Sequence, residues 1–141
     1  MNMHKMEEIL QQGYGLVTVP RCDDSRGSLC FAEWHHLPFE PKRVFWIFDV
    51  PAEARRGGHS HETCAEVVFA VQGSFDMTVD TGKHRCTFHM DRPDTGIYIG
   101  PGTWCELNAF QPGTVCVVVA SDLYDPEGYV NDYETYKLMH Q

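Results

Sequence analysis

The chain has little positive charge to spare: against 20 acidic residues it carries 11 lysines and arginines, for a formal charge of -9. A basic stripe able to track a phosphate backbone is therefore not expected, and nucleic acid is excluded as a predicted partner. No apolar run approaches the length needed to cross a bilayer. The opening MNMHKMEEILQQ lacks the cationic stretch and apolar run of an export signal. A cytoplasmic protein with no membrane partner is the expectation. No Cys-x-x-Cys pair occurs among Cys22, Cys30, Cys64, Cys86, Cys105 and Cys116. Most sit in strand-like runs, where they read as small buried hydrophobes in a reducing compartment rather than as a disulfide framework. Internal repeats and low-complexity tracts are also missing. The 141 residues suffice for one domain, 1–141, with residues 1–12 as a flexible or helical leading segment.

What the chain does contain is a succession of short β-rich runs separated by Gly, Pro and Asp. Strands are expected at 15–19, 28–34, 42–50 and 59–71. Further strands are expected at 74–79, 84–89, 96–99, 104–107 and 114–120. Phe75, Met77 and Val79 alternate with Ser74, Asp76 and Thr78 ahead of the turn Asp80-Thr81-Gly82-Lys83, the pattern of a hairpin with one buried face. Tyr133, Tyr136 and Met139 recur every three residues and predict one short C-terminal helix. An all-β fold follows, a sandwich or barrel for which an antiparallel jelly roll is the expected form.

His59 and His61 are separated by one residue, so on an extended strand both imidazoles project to one side with attachment points about 7 Å apart. Imidazole titrates near neutral pH and can take a proton at one position and return it at another. The pair follows Arg56-Gly57-Gly58, two glycines that permit close backbone approach and an arginine that supplies a charged fork. A second reading arises because His59-x-His61, then Glu66, then Gly73 resembles the first signature of metal-binding cupins. Their second signature brings another histidine after a Pro-x-Gly turn. Here Gly100-Pro101-Gly102-Thr103-Trp104 is followed by Cys105 and Glu106. His59, His61 and Glu66 thus stand as the alternative metal set.

Six ordered segments carry a narrower resemblance: SRGSL at 25–29, PKRVFWIFDVP at 41–51, RGGHSH at 56–61, GSFDMTVDTG at 73–82, RPDTGIYIGPGTW at 92–104 and ASDLYDPEGYVNDYETY at 120–136. Through them the chain resembles the sugar 3,4-ketoisomerases, WxcM-like cupins acting on dTDP-4-keto-6-deoxyglucose in deoxysugar and cell-surface polysaccharide (lipopolysaccharide) biosynthesis. The resemblance implies a cupin jelly roll, a homodimer, and a cofactor-free isomerisation that moves a ketone from C4 to C3 through an enediol. It implies His61 as the group handling the carbon-bound proton and His59 as the oxygen-side shuttle, with the reverse assignment open. Arg56 would stabilise the enediolate or diphosphate, Trp104 would stack on the thymine or the sugar, and Glu106 matches an acidic family residue in the substrate-binding set. Of Arg26, Arg43 and Arg92, arginines beside turns that are commonly paired with carboxylates such as Asp24 and Asp94, Arg92 is taken into that set. Tyr124, Tyr129, Tyr133 and Tyr136 are expected to dock the terminal helix. Where family members often carry strand tyrosines, this chain has Phe45, Trp46 and Phe48, and Glu66 stands where glutamine is common. Two further readings are a metal-dependent cupin oxygenase or isomerase and a non-catalytic sugar-nucleotide binding module.

Overall fold

The alternation of inward apolar and outward polar side chains organises twelve strands, described here for residues 2–141 of a computed structural model. A first helix, α1 (Met3–Gln12), begins at Asn2, whose side chain accepts from the Lys5 amide, and stops at Gly13. The strands are β1 (Tyr14–Thr18), β2 (Arg21–Asp24), β3 (Gly27–Cys30), β4 (Arg43–Phe48), β5 (Arg56–His61), β6 (Glu66–Gln72), β7 (Phe75–Asp80), β8 (Arg85–Met90), β9 (Thr95–Ile99), β10 (Trp104–Asn108), β11 (Val115–Ala120) and β12 (Tyr129–Val130). The chain closes with α2 (Tyr133–Met139), capped by the Asp132 carboxylate on the Thr135 amide. No helix among the described residues is long and apolar enough to cross a membrane.

Two five-stranded antiparallel sheets lie face to face in a cupin-type jelly roll, with orders β1-β9-β6-β11-β4 and β12-β5-β10-β7-β8, while β2 and β3 form a separate hairpin. Between the sheets sits a core of Val68, Phe75, Met77, Val79, Ile97, Cys105, Phe110, Cys116 and Val118. A second apolar layer on the outer side of the first sheet joins Ile9 of α1 to Val17, Val67, Phe69 and Tyr98. On the outside of the second sheet, α2 docks through the fully buried Tyr136, whose hydroxyl lies 2.7 Å from both the Asp80 and Gly102 carbonyls.

The run expected as one strand over 59–71 is two strands in different sheets. β5 ends at His61, the chain turns through Glu62–Ala65, and β6 begins at Glu66 in the opposite sheet. The turn carries neither Gly nor Pro, and Cys64 and Ala65 are buried, so composition gave no break. The crossing is held by the Ala65 amide on the Ser121 hydroxyl and the Glu62 amide on the Gly128 carbonyl. Its effect on the site is direct, since it places Glu66 across the barrel interior from the histidines. All six cysteines are free thiols.

Candidate active site

β5 carries the centre of the site. Its first residues are bent by Gly57 and Gly58, both at φ +74°, a left-handed conformation that side-chain-bearing residues rarely adopt. Gly57 also passes β10 so closely that a Cβ there would lie 2.9 Å from the Cys105 carbonyl oxygen. From that bend the strand runs inward: Arg56 is exposed, His59 half-buried and His61 buried. The imidazoles project to one face with ring centroids 4.8 Å apart. His61 is fixed from both sides, its carbonyl accepting from the Gly102 amide and its backbone pairing with Tyr129 of β12.

Tyr129 is the shared neighbour, its ring 4.9 Å from His59 and 4.4 Å from His61. Burial pushes its phenol above the ordinary value, with the Arg43 guanidinium opposing the shift, so at neutral pH it is a protonated hydroxyl. Arg43 opens β4, where burial alternates so that Arg43, Phe45 and Ile47 turn inward and Val44, Trp46 and Phe48 outward. Its guanidinium carbon lies 5.2 Å from the Phe45 ring centroid and 5.7 Å from that of Tyr124, within cation–π range. No carboxylate pairs with it among the described residues, and its Nε is shielded from solvent without a hydrogen-bond partner.

The fourth member is Glu66. Strand register aligns Arg43, Ala120, Glu66 and Ile99 across the first sheet, and the Glu66 carboxylate reaches to 3.5 Å from His61 Nε2, both side chains being 6% exposed. His59 is held below the usual imidazole range, first by burial and then by the charge of His61. Cys105 and Cys116 complete the interior. Burial raises the Cys105 thiol well above its ordinary value and pushes that of Cys116 up to about 12, so neither supplies a thiolate at neutral pH.

The remaining sequence candidates are not gathered with the histidines. Trp104 and Glu106 point to the outer face of β10: the indole Nε1–H donates to Glu106 Oε2 at 2.8 Å, and the ring packs on Tyr133 and Tyr136 of α2. Both residues are thereby occupied in docking the helix, because alternation along β10 turns Cys105 inward and its two neighbours out. Arg92 forms an ion pair with Asp94 at 3.1 Å. Arg26 pairs likewise with Asp24. Of the three turn-side arginines, Arg43 is the one aimed into the barrel. Arg56 lines a cleft of about 360 Å³ with Trp46, Ile47, Phe48 and Arg55, at the open end of the strand carrying the histidines. Tyr133 and Tyr136 dock α2, whereas Tyr124 and Tyr129 belong to the site, a placement that the acidic tail's composition did not separate. No group of three or more His, Cys, Asp or Glu side chains among the described residues is arranged to hold a metal ion. His59, His61 and Glu66 do not converge on one point.

This arrangement has close relatives. The family model described as FdtA, WxcM-like, C-terminal matches residues 12–141. The TDP-4-oxo-6-deoxy-alpha-D-glucose-3,4-oxoisomerase of Aneurinibacillus thermoaerophilus is 38% identical over 115 residues, covering 81% of this chain and 83% of that one. A histidine-to-asparagine variant of the 3,4-ketoisomerase QdtA from Thermoanaerobacterium thermosaccharolyticum, solved with TDP-4-keto-6-deoxyglucose, superposes with a TM-score of 0.87 at 29% identity, over 91% of this chain and 94% of that one. The TDP-quinovose 3,4-ketoisomerase WlaRB of Campylobacter jejuni gives a TM-score of 0.85 at 34% identity, over 90% of this chain and 98% of that one. The chain belongs to the FdtA, WxcM-like family.

Proposed function

We propose that this protein is a sugar-nucleotide 3,4-ketoisomerase, converting a dTDP-linked 4-keto-6-deoxyhexose to its 3-keto isomer. The observation that carries the reading is the paired imidazoles of β5, with a phenol against both rings and, beside the phenol, a guanidinium whose Nε is buried without a partner. The C4 ketone acidifies the hydrogen on C3. His61 removes that proton; the C–H electron pair becomes the C3–C4 double bond and the carbonyl pair moves onto the C4 oxygen. The proton of the C3 hydroxyl passes to the C4 oxygen through His59, whose lowered basicity keeps it neutral and able to accept and donate. Return of the first proton to C4 leaves the ketone at C3. Atoms and electrons balance without an external oxidant or reductant, so the chemistry calls for no redox cofactor.

Arg43 offers charge-assisted donors to an anionic oxygen of the substrate or enediolate. Tyr129 presents the hydroxyl that β4, with Phe45 and Ile47 facing inward, does not. Arg56 is suited to the diphosphate at the exposed end of β5. Arg92, Trp104 and Glu106 are committed to other contacts and are not assigned to the substrate. Trp46, Phe48 and Val44 lie more than half exposed on the outer face of edge strand β4. Such an edge favours self-pairing, and a second copy of the chain meeting it about a two-fold axis accounts for the exposure. Six free thiols suit a reducing, cytoplasmic setting. Incubation with dTDP-4-keto-6-deoxyglucose should yield a 3-keto sugar nucleotide in the wild type and none in His61→Asn. An active His61→Asn variant refutes the assignment of the base.

A further inference from the structure

Among the described residues, Glu66 is the one buried carboxylate inside the barrel that the reaction above does not use. It is 5% exposed, and the ion-pair contact it makes is to His61 Nε2. That nitrogen is itself shielded from solvent and lacks a hydrogen-bond partner. At 3.5 Å the contact is an ion-pair distance, longer than a good hydrogen bond. The two observations point the same way. A buried ring nitrogen facing a carboxylate is stable there as N–H and unfavourable as a bare lone pair, because two acceptors would then face each other out of water.

We propose that Glu66 is a positioning residue that holds the His61 imidazole with its proton on Nε2, leaving Nδ1 as the nitrogen that exchanges protons with the sugar. The inference rests on the reading of His61 as the carbon base. In the forward step the C3–H bond breaks, its proton joins Nδ1, and its electrons form the C3–C4 double bond. The imidazolium so formed carries Nε2–H toward Glu66, whose carboxylate, buried with it, offsets the new charge. Nδ1 then delivers the proton to C4 and the starting tautomer is restored. The same carboxylate reaches others electrostatically: its charge acts on His59, Tyr129, Cys105 and Cys116, whereas its ion-pair contact is to His61.

Nitrogen-15 NMR of the full chain with labelled histidine reads the tautomer directly, the His61 signals being assigned by their loss in His61→Asn. The wild type should show His61 protonated on Nε2. Glu66→Gln keeps an acceptor oxygen and should keep that tautomer, whereas Glu66→Leu should let the Nδ1–H form appear. Kinetically, Glu66→Leu should lose roughly 10- to 100-fold in kcat, the usual cost of removing a group that orients a functional histidine, with KM within about twofold. Glu66→Gln should recover part of that loss. A wild-type His61 protonated on Nδ1, or a Glu66→Leu variant with unchanged kcat, overturns the proposal. Should the wild type not turn the sugar over at all, the functional reading fails, while the tautomer measurement still decides what Glu66 does.

Discussion

Replacing Arg43 by Met separates a ligand-binding arginine from a structural one by the sign of its effect on stability. The guanidinium stands against the Phe45 and Tyr124 rings, without a carboxylate and with Nε unsatisfied. An arginine that stabilises the fold would have its donors filled. Leaving a buried donor unmade costs about 1–3 kcal/mol, which the Met variant escapes while keeping most of the aliphatic volume. Cation–π contact with two rings offsets some of that, at about 0.5–1 kcal/mol each. Thermal unfolding of the substrate-free variant should therefore show a Tm unchanged or slightly raised. A hydrogen bond to a charged oxygen is worth about 1.5–3 kcal/mol, so kcat/KM should fall roughly 10- to 150-fold. Arg43→Lys should restore only part of it, having no planar fork. A variant that unfolds more easily and turns over normally would refute the reasoning and make Arg43 a structural residue.

Other expectations follow from the same geometry. Burial, and then the charge of His61, hold His59 low, so its NMR titration midpoint should lie below 6.5. Its folded value being the lower one, the unfolded chain binds more protons in the interval up to 6.5, and stability should rise with pH across it; a midpoint at or above 6.5 contradicts this. Tyr136→Phe removes the donor shared by the Asp80 and Gly102 carbonyls and should cost about 1–2 kcal/mol, lowering Tm by roughly 3–8 °C with kcat unchanged. Asp80 is raised by burial, yet the Tyr133 hydroxyl, the Gly82 amide and Arg85 together hold it below its ordinary value. Docking of α2 should therefore weaken as pH falls through the carboxylate range, followed by fluorescence of Trp104 beneath the helix. Trp46→Lys should shift the particle mass measured by light scattering from two chains to one, and a monomeric wild type would remove the self-pairing of β4.

The strands were legible because alternation and turn residues mark them locally: the 74–79 run and the 114–120 run reappear as β7 and β11 with small changes of boundary. The break between His61 and Glu66 was not, since its turn over 62–65 carries neither Gly nor Pro and is held by Ser121 and Gly128, both distant along the chain. Arginine roles were illegible for a related reason. Arg92 and Arg43 both sit near turns, but only the partners supplied by the fold, Asp94 for one and aromatic rings for the other, distinguish an ion pair from a free cation. Parity along β4 carried part of the signal, because Arg43 shares its face with Phe45 and Ile47. Parity along β10 likewise turns Trp104 and Glu106 away from Cys105 and toward α2. Tyr124 and Tyr129 were separable from the helix-docking tyrosines only once β12 was seen to pair with β5.

The most direct test of proton transfer between adjacent carbons is the reaction run in deuterium oxide and followed by NMR. With dTDP-4-keto-6-deoxyglucose and the wild-type chain, the account predicts a 3-keto product carrying deuterium at C4, or substrate exchanged at C3. Neither 3-keto product nor deuterium at either carbon would contradict it.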